Sequence, residues 1–333
     1  MKNSKILKVL GVVLAILGVM AGSVGLHFYL FYSRPVPETK VIDIQKGWRM
    51  VKIADALEEA GVVSSSFWLL ALVKASGNII IKAGEYRIEQ GKLPSAIIAQ
   101  LQSGTGMLPS RFVVPEGLSA KEIVALMVKR GWKDATRLMQ GTAFLQKMQI
   151  EGNSLEGWLY PDTYFYRNKD TAVSMMRRMV VRSKKVLYEE WEKRPKDFAL
   201  TPYQALVLAS IVEKETGQAT ERPLIAGVFH NRLRRDMMLQ SDPTVIYGIA
   251  DFDGNITRKH LTTPTPYNTY TRKGLPPTPI CNPGRASIHA VFHPNETKAF
   301  YFVASGNGSH IFSNTLEEHE RYVDIYQRHK RRQ

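Results

Sequence analysis

Two glutamates in the second half of the chain, Glu213 and Glu215, are the residues whose type and spacing best suit chemistry. They lie in the segment ASIVEKET (209–216), where an apolar stretch ends in a short charged turn. A carboxyl group that is partly buried at the C-terminal end of a helix resists ionisation, because burial disfavours its charge and the helix dipole repels an anion. A carboxyl group that stays protonated near neutral pH can act as the general acid that breaks a glycosidic bond.

The helix that must position these glutamates is predicted from Thr201 to Gly217. Thr201 suits the N-cap, Pro202 suits the first helical position, and Gly217 ends the helix. Apolar residues are spread nearly all round this helix, which is typical of a buried helix. At 100° per residue the two glutamates are about 200° apart, so they cannot form a close pair.

A structural interpretation of the same residues stays open at this point. One glutamate could pair with an arginine such as Arg222 or Arg232, while the other could simply be exposed. Buried ion pairs shift the pKa values of their members as catalytic sites do, so the pattern is not specific. The helix alone therefore does not choose between Glu213 and Glu215 as a proton donor.

Other chemistries have weaker support. His289 and His293 are spaced i, i+4 and could share a helical face as metal ligands, but the sequence offers no HExxH pattern and no apparent third ligand. A structural histidine pair is therefore favoured. No GxSxG motif marks a nucleophilic serine, and the glycines at 306 and 308 join two predicted strands and do not open a helix. We predict no metal, cofactor or nucleotide site.

The composition points to an anionic partner. The chain has 333 residues, with 45 Lys+Arg against 30 Asp+Glu, a net charge of +15 and one cysteine, Cys281. A single cysteine excludes an intramolecular disulfide framework and a cysteine-based zinc site. A strongly positive charge attracts nucleic acid, lipid head groups or acidic polymers.

The N-terminus selects among these partners. Residues 9–28 carry no formal charge at neutral pH and are long enough as a helix to cross a bilayer, and three lysines precede them. A cleaved signal peptide is the alternative, but apolar residues continue past the weak processing site at 21–23 and favour an uncleaved anchor. We therefore predict a single-pass protein of the bacterial inner membrane, with a cytoplasmic N-terminus and the rest outside. Residues 1–40 hold five Lys/Arg and one Glu, so the exported part keeps a charge of +11 and faces lipid and cell wall, with no role for nucleic acid.

Two segments with the same pattern follow the anchor. Residues 41–61 and 112–131 both predict a strand, a glycine turn and an amphipathic helix. Five matched pairs share an offset of 70, namely Ile44/Val114, Gly47/Gly117, Ile53/Ile123, Leu57/Met127 and Gly61/Gly131. The pattern is common and chance is the alternative, but five pairs in one register favour a repeat.

The remaining elements complete an α+β fold. Between the repeats the sequence predicts a helix at 67–74, a strand at 83–88 and a helix at 93–102. Later predicted elements are a helix at 170–194, a helix at 219–235 with Thr220 as N-cap, a hairpin at 298–313 and a last helix from 316 to 329. Residues 239–284 show no helical period over most of their length, and such a long Pro-, Thr- and Tyr-rich segment usually lines a site.

These elements predict a domain order. It consists of a cytoplasmic N-terminus (1–8), an anchor (9–32), a linker (33–40), a small α+β module (41–105), a connecting segment with the second repeat (106–150) and a larger mixed α+β domain (151–333).

The chain resembles the YceG-like family of endolytic murein transglycosylases in ordered blocks. The blocks are AGEYRI (83–88), VPEG (114–117), SLEGWLYPDTY (154–164), ASIVEKET (209–216), FHNRL (229–233), LQSDPTVIYG (239–248), TPYNTYTRKGLPP (265–277), NPG (282–284) and GNGSHIFS (306–313). One block alone is weak evidence, whereas this many in the family's order is specific. His230 and Cys281 depart from the pattern without affecting the assignment.

The resemblance implies a LysM-like module near the membrane and a catalytic domain with its catalytic glutamate at a helix end. The implied reaction is non-hydrolytic cleavage of the β-1,4 bond between N-acetylmuramic acid and N-acetylglucosamine in nascent peptidoglycan strands, which leaves a 1,6-anhydro end. In the family motif the catalytic glutamate is the first of VEKET, which is Glu213 here. The candidate substrate-binding residues are Gln240, Asp242, Thr244, Tyr247, Tyr267, Asn268 and Tyr270. The implied reaction needs no metal or cofactor, and a peptidoglycan synthase is a partner by resemblance only.

Two alternatives to this function remain, a hydrolytic muramidase on the same fold and a non-catalytic peptidoglycan-binding or division scaffold. Several of the seven candidates could instead satisfy loop backbone groups. Glu156 and Asp162 are either cleft residues or loop caps, and structural roles are predicted for Glu215 and Glu221.

Overall fold

The computed structural model describes residues 2–77, 79–167 and 170–328. The fold is mixed α+β and divides into two compact units, Met1–Ser110 and Arg111–Gln333. The helices are α1 Lys2–Ser33, α2 Met50–Glu59, α3 Ser66–Ala75, α4 Pro94–Ser103, α5 Ala120–Lys129, α6 Ala135–Gln140, α7 Thr142–Lys147, α8 Ala172–Trp191, α9 Pro202–Glu215, α10 Arg222–Arg234, α11 Asp242–Tyr247, α12 Arg258–Thr262, α13 Arg285–Phe292 and α14 Leu316–Val323. The strands are β1 Lys40–Ile44, β2 Gly84–Ile88, β3 Ser110–Val113, β4 Thr163–Tyr166, β5 Tyr301–Ala304 and β6 His310–Ser313.

The N-terminal helix α1 contains the predicted anchor. Its segment Leu10–Ser33 is 24 residues long and apolar enough to cross a membrane, and its apolar side chains from Leu10 to Leu26 are exposed. This is consistent with a single-pass anchor. The predicted linker that follows is packed into the first unit, because Val36 is buried and its N–H donates to the carbonyl oxygen of Lys92 at 2.9 Å.

The first unit packs α2, α3 and α4 with a two-stranded antiparallel sheet. β1 and β2 pair in register from Lys40↔Ile88 to Ile44↔Gly84. Tyr86 of β2 is fully buried, and its hydroxyl donates to the carbonyl oxygen of Lys82 at 2.8 Å. The core is completed by Ile44, Leu57, Leu69, Ile97 and Leu101.

The predicted repeat is confirmed at the level of geometry. β3 and α5 begin 70 residues after β1 and α2, respectively. Gly47 and Gly117 both turn the chain in the left-handed region, with φ values of 90° and 76°. The second copy differs in its helix start, where Ser119 and Glu122 form a capping box that α2 lacks. The same strand–turn–helix frame thus occurs once in each unit.

The second unit buries α9 at its centre. Helices α8, α10, α11 and α13 pack against α9, whose residues from Ala205 to Val212 are all buried. β3 pairs with β4, and β5 pairs with β6 as the predicted antiparallel hairpin, from Tyr301↔Ser313 to Ala304↔His310. These elements bring the charged end of α9 against the loops that follow α10 and precede α13.

Three details of the predicted elements need correction. The N-cap of α10 is Glu221 and not Thr220. Residues 239–284 contain two short helices, α11 and α12, because Pro243 and the Thr257 capping box start helical turns that are too short to show a period. The last α-helix ends at Val323 and is followed by a π-helical turn, Asp324–Arg328. The predicted end at residue 329 lies outside the described residues.

Candidate functional site

Helix α9 forms as its sequence predicts. The Thr201 side chain accepts from the N–H of Gln204, whose side chain accepts in return from the N–H of Thr201, and Pro202 takes the first helical position. The helix ends at Glu215, and Thr216 is extended. Its last turn therefore presents two glutamates to two different neighbourhoods, as the 200° separation predicts.

Each carboxylate oxygen of Glu213 has a partner. Its side chain is 6% exposed, and Oε1 lies 3.5 Å from Nη2 of Arg222. Oε2 accepts from the backbone N–H of Gly284 at 3.0 Å. Both carboxylate oxygens thus have partners, one of them the arginine that the structural interpretation names.

A second carboxyl group, Glu116, shares this neighbourhood. A Cβ atom at Gly284 would overlap the Glu116 carboxyl group, so the acid is seated directly on the glycine backbone. Burial raises the pKa of Glu116, the charge of Glu213 raises it further, and Arg222 opposes the shift. Sequence reasoning missed Glu116 as a site residue, although it stands in the VPEG block.

Glu215 lies in an environment of the opposite kind. Its Oε1 accepts a hydrogen bond from the Ser241 hydroxyl, and within the described residues Oε2 makes no hydrogen bond. Burial raises the pKa of Glu215 to about 7, the charge of Asp242 contributes, and the Ser241 bond and Arg232 oppose the shift. A carboxyl group with such a pKa is protonated in a large fraction of molecules at neutral pH.

Glu215 lines a cavity of about 450 Å³, which we call the Glu215 cavity. Arg232, Gln240, Asp242, Tyr270 and His310 line the same cavity. The Tyr270 hydroxyl donates to Oδ1 of Asp242 at 2.6 Å. The cavity thus combines a carboxyl group with a raised pKa, hydrogen-bonding groups and an aromatic ring, a lining that could hold a polar ligand.

Arg232 lines this cavity and holds the loops around it. Its guanidinium donates to the carbonyl oxygens of Phe300, at 2.6 Å, and of Leu239, at 2.8 Å. It also donates to Oε1 of Gln240 at 3.2 Å, and Gln240 has a left-handed backbone with φ of 51°. A non-glycine residue in this conformation is held there by its surroundings, which occurs preferentially at functional sites.

A second cavity, of about 710 Å³, lies next to Glu156 and Tyr247. Burial raises the pKa of Glu156 to about 7. The carboxyl group accepts from the N–H of Ala120 at 2.8 Å, the Tyr247 hydroxyl at 2.9 Å and Nδ2 of Asn282 at 3.1 Å. With three donors on its two oxygens, Glu156 joins the second repeat to α11 and to the loop before α13.

The seven predicted substrate-binding residues fall into three groups. Gln240, Asp242 and Tyr270 lie together in the Glu215 cavity, while Tyr247 lines the cavity next to Glu156. Tyr267 packs edge-on against Tyr247 at 4.9 Å between ring centroids and shares a hydrogen bond with Thr278.

The third group consists of two residues that support the loops. The Thr244 side chain is buried and donates to the carbonyl oxygen of Ser241 at 2.6 Å. Asn268 is also buried, and its Nδ2 lies within 3.2 Å of the carbonyl oxygens of three loop residues, namely His260, Leu261 and Thr263. Substrate contact by these two residues stays a prediction that their contacts do not support.

The histidine pair acquires a third neighbour in the fold. Glu190 of α8 accepts from Nδ1 of His289 at 2.8 Å and lies 3.9 Å from Nε2 of His293, a grouping that could hold a metal ion. Arg285 and Lys193 already lie on Oε1 of Glu190, at 2.7 and 3.9 Å. Two cations beside one carboxylate disfavour a divalent ion, so the cluster is better described as an ion-pair network.

Comparisons with known proteins agree with the resemblance found in the sequence. The model of the YceG-like family matches residues 42–325. A Bacillus subtilis (strain 168) protein named endolytic murein transglycosylase is 30% identical over 302 residues, which cover 86% of this chain and 84% of that protein. A Streptococcus pneumoniae (strain D39) protein of the same name is 29% identical over 317 residues, but the match covers 57% of its length and 85% of this chain. The crystal structure of a YceG-like protein from Listeria monocytogenes has a TM-score of 0.63 at 31% identity, covering 85% of this chain and 98% of that one.

Proposed function

This chain belongs to the YceG-like family, and from that membership we propose that it is an endolytic murein transglycosylase. The substrate is a nascent peptidoglycan strand, and the scissile bond is the β-1,4 bond between N-acetylmuramic acid and N-acetylglucosamine. The apolar helix α1 supports attachment to the bacterial inner membrane, with the second unit outside the cytoplasm. A peptidoglycan synthase as a partner remains part of this proposal.

The family motif predicts Glu213 as the proton donor, and this stays a prediction. We propose Glu215 as the alternative that the cavity geometry favours. The observation that carries this choice is a carboxyl group of pKa about 7 that lines a cavity and has one hydrogen bond within the described residues. Glu156 has a similar pKa and also lines a cavity, but three donors engage its two oxygens. Three of the predicted sugar-binding residues line the same cavity. Glu213 has both oxygens occupied by Arg222 and Gly284, which suits a structural role.

The reaction needs only one carboxyl group if it serves twice. Protonated Glu215 donates its proton to the glycosidic oxygen as the bond from that oxygen to C1 of the muramic acid breaks. The carboxylate that results takes the proton from the C6 hydroxyl of the same sugar, and that oxygen bonds to C1. The internal hydroxyl replaces the water of a hydrolase, so a second catalytic carboxylate is not required.

Product analysis tests this proposal. Uncrosslinked glycan strands are incubated with the full-length chain and the fragments are examined by mass spectrometry. We expect fragments with 1,6-anhydromuramic acid ends, and their formation should be slower by about 10²–10⁴-fold with Glu215→Gln. Fragments with reducing muramic acid ends would instead identify a hydrolytic muramidase. If the folded wild-type chain cleaves no strand of any length, the non-catalytic scaffold is the correct alternative.

A further inference from the structure

Helix α3 of the first unit is apolar on both of its sides. Leu69 and Val73 face inward and are buried, whereas Phe67 is 68% exposed. The sequence of α3, SFWLLALVKA, contains no acidic residue, and α3 is among the short apolar helices of the chain. A helix that is apolar all round is normally covered by protein or by lipid. Trp68, Leu70 and Leu72 are partly buried against the core of the first unit, so the uncovered part of α3 is the ring of Phe67.

The outer side of α3 adjoins the end of the anchor helix. The ring of Trp68 meets the ring of Phe28 of α1 at 5.4 Å, and Phe67 meets Trp68 at 5.0 Å. Phe28 also stacks on Tyr32 at 5.9 Å. Phe31, on the same helix, is buried in the core of the module. The anchor helix is therefore packed directly against the module, with no flexible linker between them in the described part of the chain.

The length of α1 places these aromatic rings at a defined height. Lys8 is the last charged residue before the apolar segment, and Phe28 follows it by twenty residues. Twenty helical residues rise about 30 Å, which is about the thickness of the hydrocarbon core of a bilayer. Phe28 therefore lies near the outer boundary of the hydrocarbon if α1 spans the membrane. Trp68, in contact with Phe28, lies at the interface where tryptophan and tyrosine are enriched.

We propose that α3 is an interfacial helix, with Phe67 and Trp68 inserted into the lipid at the outer surface of the membrane that α1 spans. The occupant of the uncovered side is lipid, because the neighbouring helix already enters the bilayer at the level of these rings. Lys74, at the end of α3, is exposed and suits anionic head groups. The module is then held against the membrane surface through two elements, the anchor and α3. This inference goes beyond the proposed function and depends only on α1 spanning a bilayer.

Site-directed probes in lipid test the proposal. A Phe67→Cys variant of the full-length chain is labelled with an environment-sensitive fluorophore and reconstituted in vesicles that contain doxyl-labelled lipid. The native Cys281 is buried and burial raises the pKa of its thiol, so it competes little for the label. Asp43→Cys is the matched control, since Asp43 and Glu85 lie opposite each other on an exposed face of the same module, and two carboxylates require water. Leu17→Cys, within α1, reports whether the anchor is inserted.

The expected result is a blue-shifted emission at position 67 and quenching at least about twofold stronger than at position 43. Equal quenching at 67 and 43, with strong quenching at 17, would show that α3 faces water or awaits a protein partner, and would overturn the proposal. Weak quenching at 17 would overturn its premise. Because the reconstituted sample contains no other protein, strong quenching at 67 identifies lipid as the occupant. None of these outcomes depends on glycan cleavage, so the proposed function is tested separately.

Discussion

The two sides of the last turn of α9 differ more than their shared helix would suggest. On one side, Glu213 is closed in by Arg222, the Gly284 N–H and the neighbouring Glu116. On the other side, Glu215 has one hydrogen-bond partner among the described residues, Ser241, and lines a cavity. Two glutamates separated by one lysine therefore have different surroundings. Arg222 of α10 lies 3.5 Å from Glu213, whereas Glu215 is hydrogen-bonded to Ser241 and lines a cavity with Arg232 of the same helix. The helix sequence alone does not show these different surroundings, and which of the two acids reacts stays a matter for the variants below.

The largest expected effect is on catalysis and separates the two sides directly. Glu215→Gln removes the transferable proton, so we expect kcat/KM on uncrosslinked glycan strands to fall by about 10²–10⁴-fold. Glu213→Gln is the matched control and should retain activity within about tenfold when folded. If Glu213→Gln is the inactive variant and Glu215→Gln is active, the assignment reverts to the family-motif prediction.

The side of the turn that holds Glu213 should instead have the larger effect on the free energy of unfolding. Arg222→Met leaves Glu213 and Glu116 without their cation, and removing one member of a buried ion pair costs about 3–5 kcal/mol. Denaturant unfolding of Arg222→Met and of Glu215→Gln measures the free energy of unfolding of each variant. The decrease should be far smaller for Glu215→Gln. An Arg222→Met variant as stable as the wild type would mean that this side of the turn is not held by the ion pair.

The pH profile sharpens the comparison on the open side. A general acid must be protonated, so kcat/KM should be constant below about pH 7 and fall as the pH rises through the pKa of Glu215, which is about 7. Asp242→Asn removes a charge that raises this pKa, so the falling limb should move to lower pH. Ser241→Ala removes a hydrogen bond that lowers the pKa, so the limb should move to higher pH. Limbs that do not move in either variant would exclude Glu215 as the titrating acid.

The smallest expected effect concerns sugar binding. Tyr270→Phe removes a hydroxyl group that orients Asp242 in the Glu215 cavity. If this pair binds the sugar, loss of one hydrogen bond should raise KM by roughly tenfold. Tyr267→Phe is the matched control, because its hydroxyl bonds to Thr278 at 2.9 Å. Equal increases in KM for the two variants would indicate that the cavity does not select the sugar.

Much of the fold follows from local sequence signals. The offset of 70 residues predicts both strand–turn–helix copies, because glycines in left-handed conformations and apolar spacing are determined locally. The start of α9 follows from its capping residues in the same way, whereas the helix ends at Glu215 with Thr216 extended and not at the predicted Gly217. The short helices α11 and α12 escaped prediction because five or six residues are too few to show a helical period.

The sequence by itself determined the buried helix, the separation of its two acids, the apolar anchor and the family. Each of these depends on residues within a few turns of one another or on motifs in order along the chain. Only the tertiary structure decided which acid meets a cation and which meets a cavity, because Gly284 and Ser241 lie 71 and 26 residues beyond their partners. The pKa of a carboxyl group depends on burial and on neighbouring charges, and both are supplied by chain segments that only folding brings together.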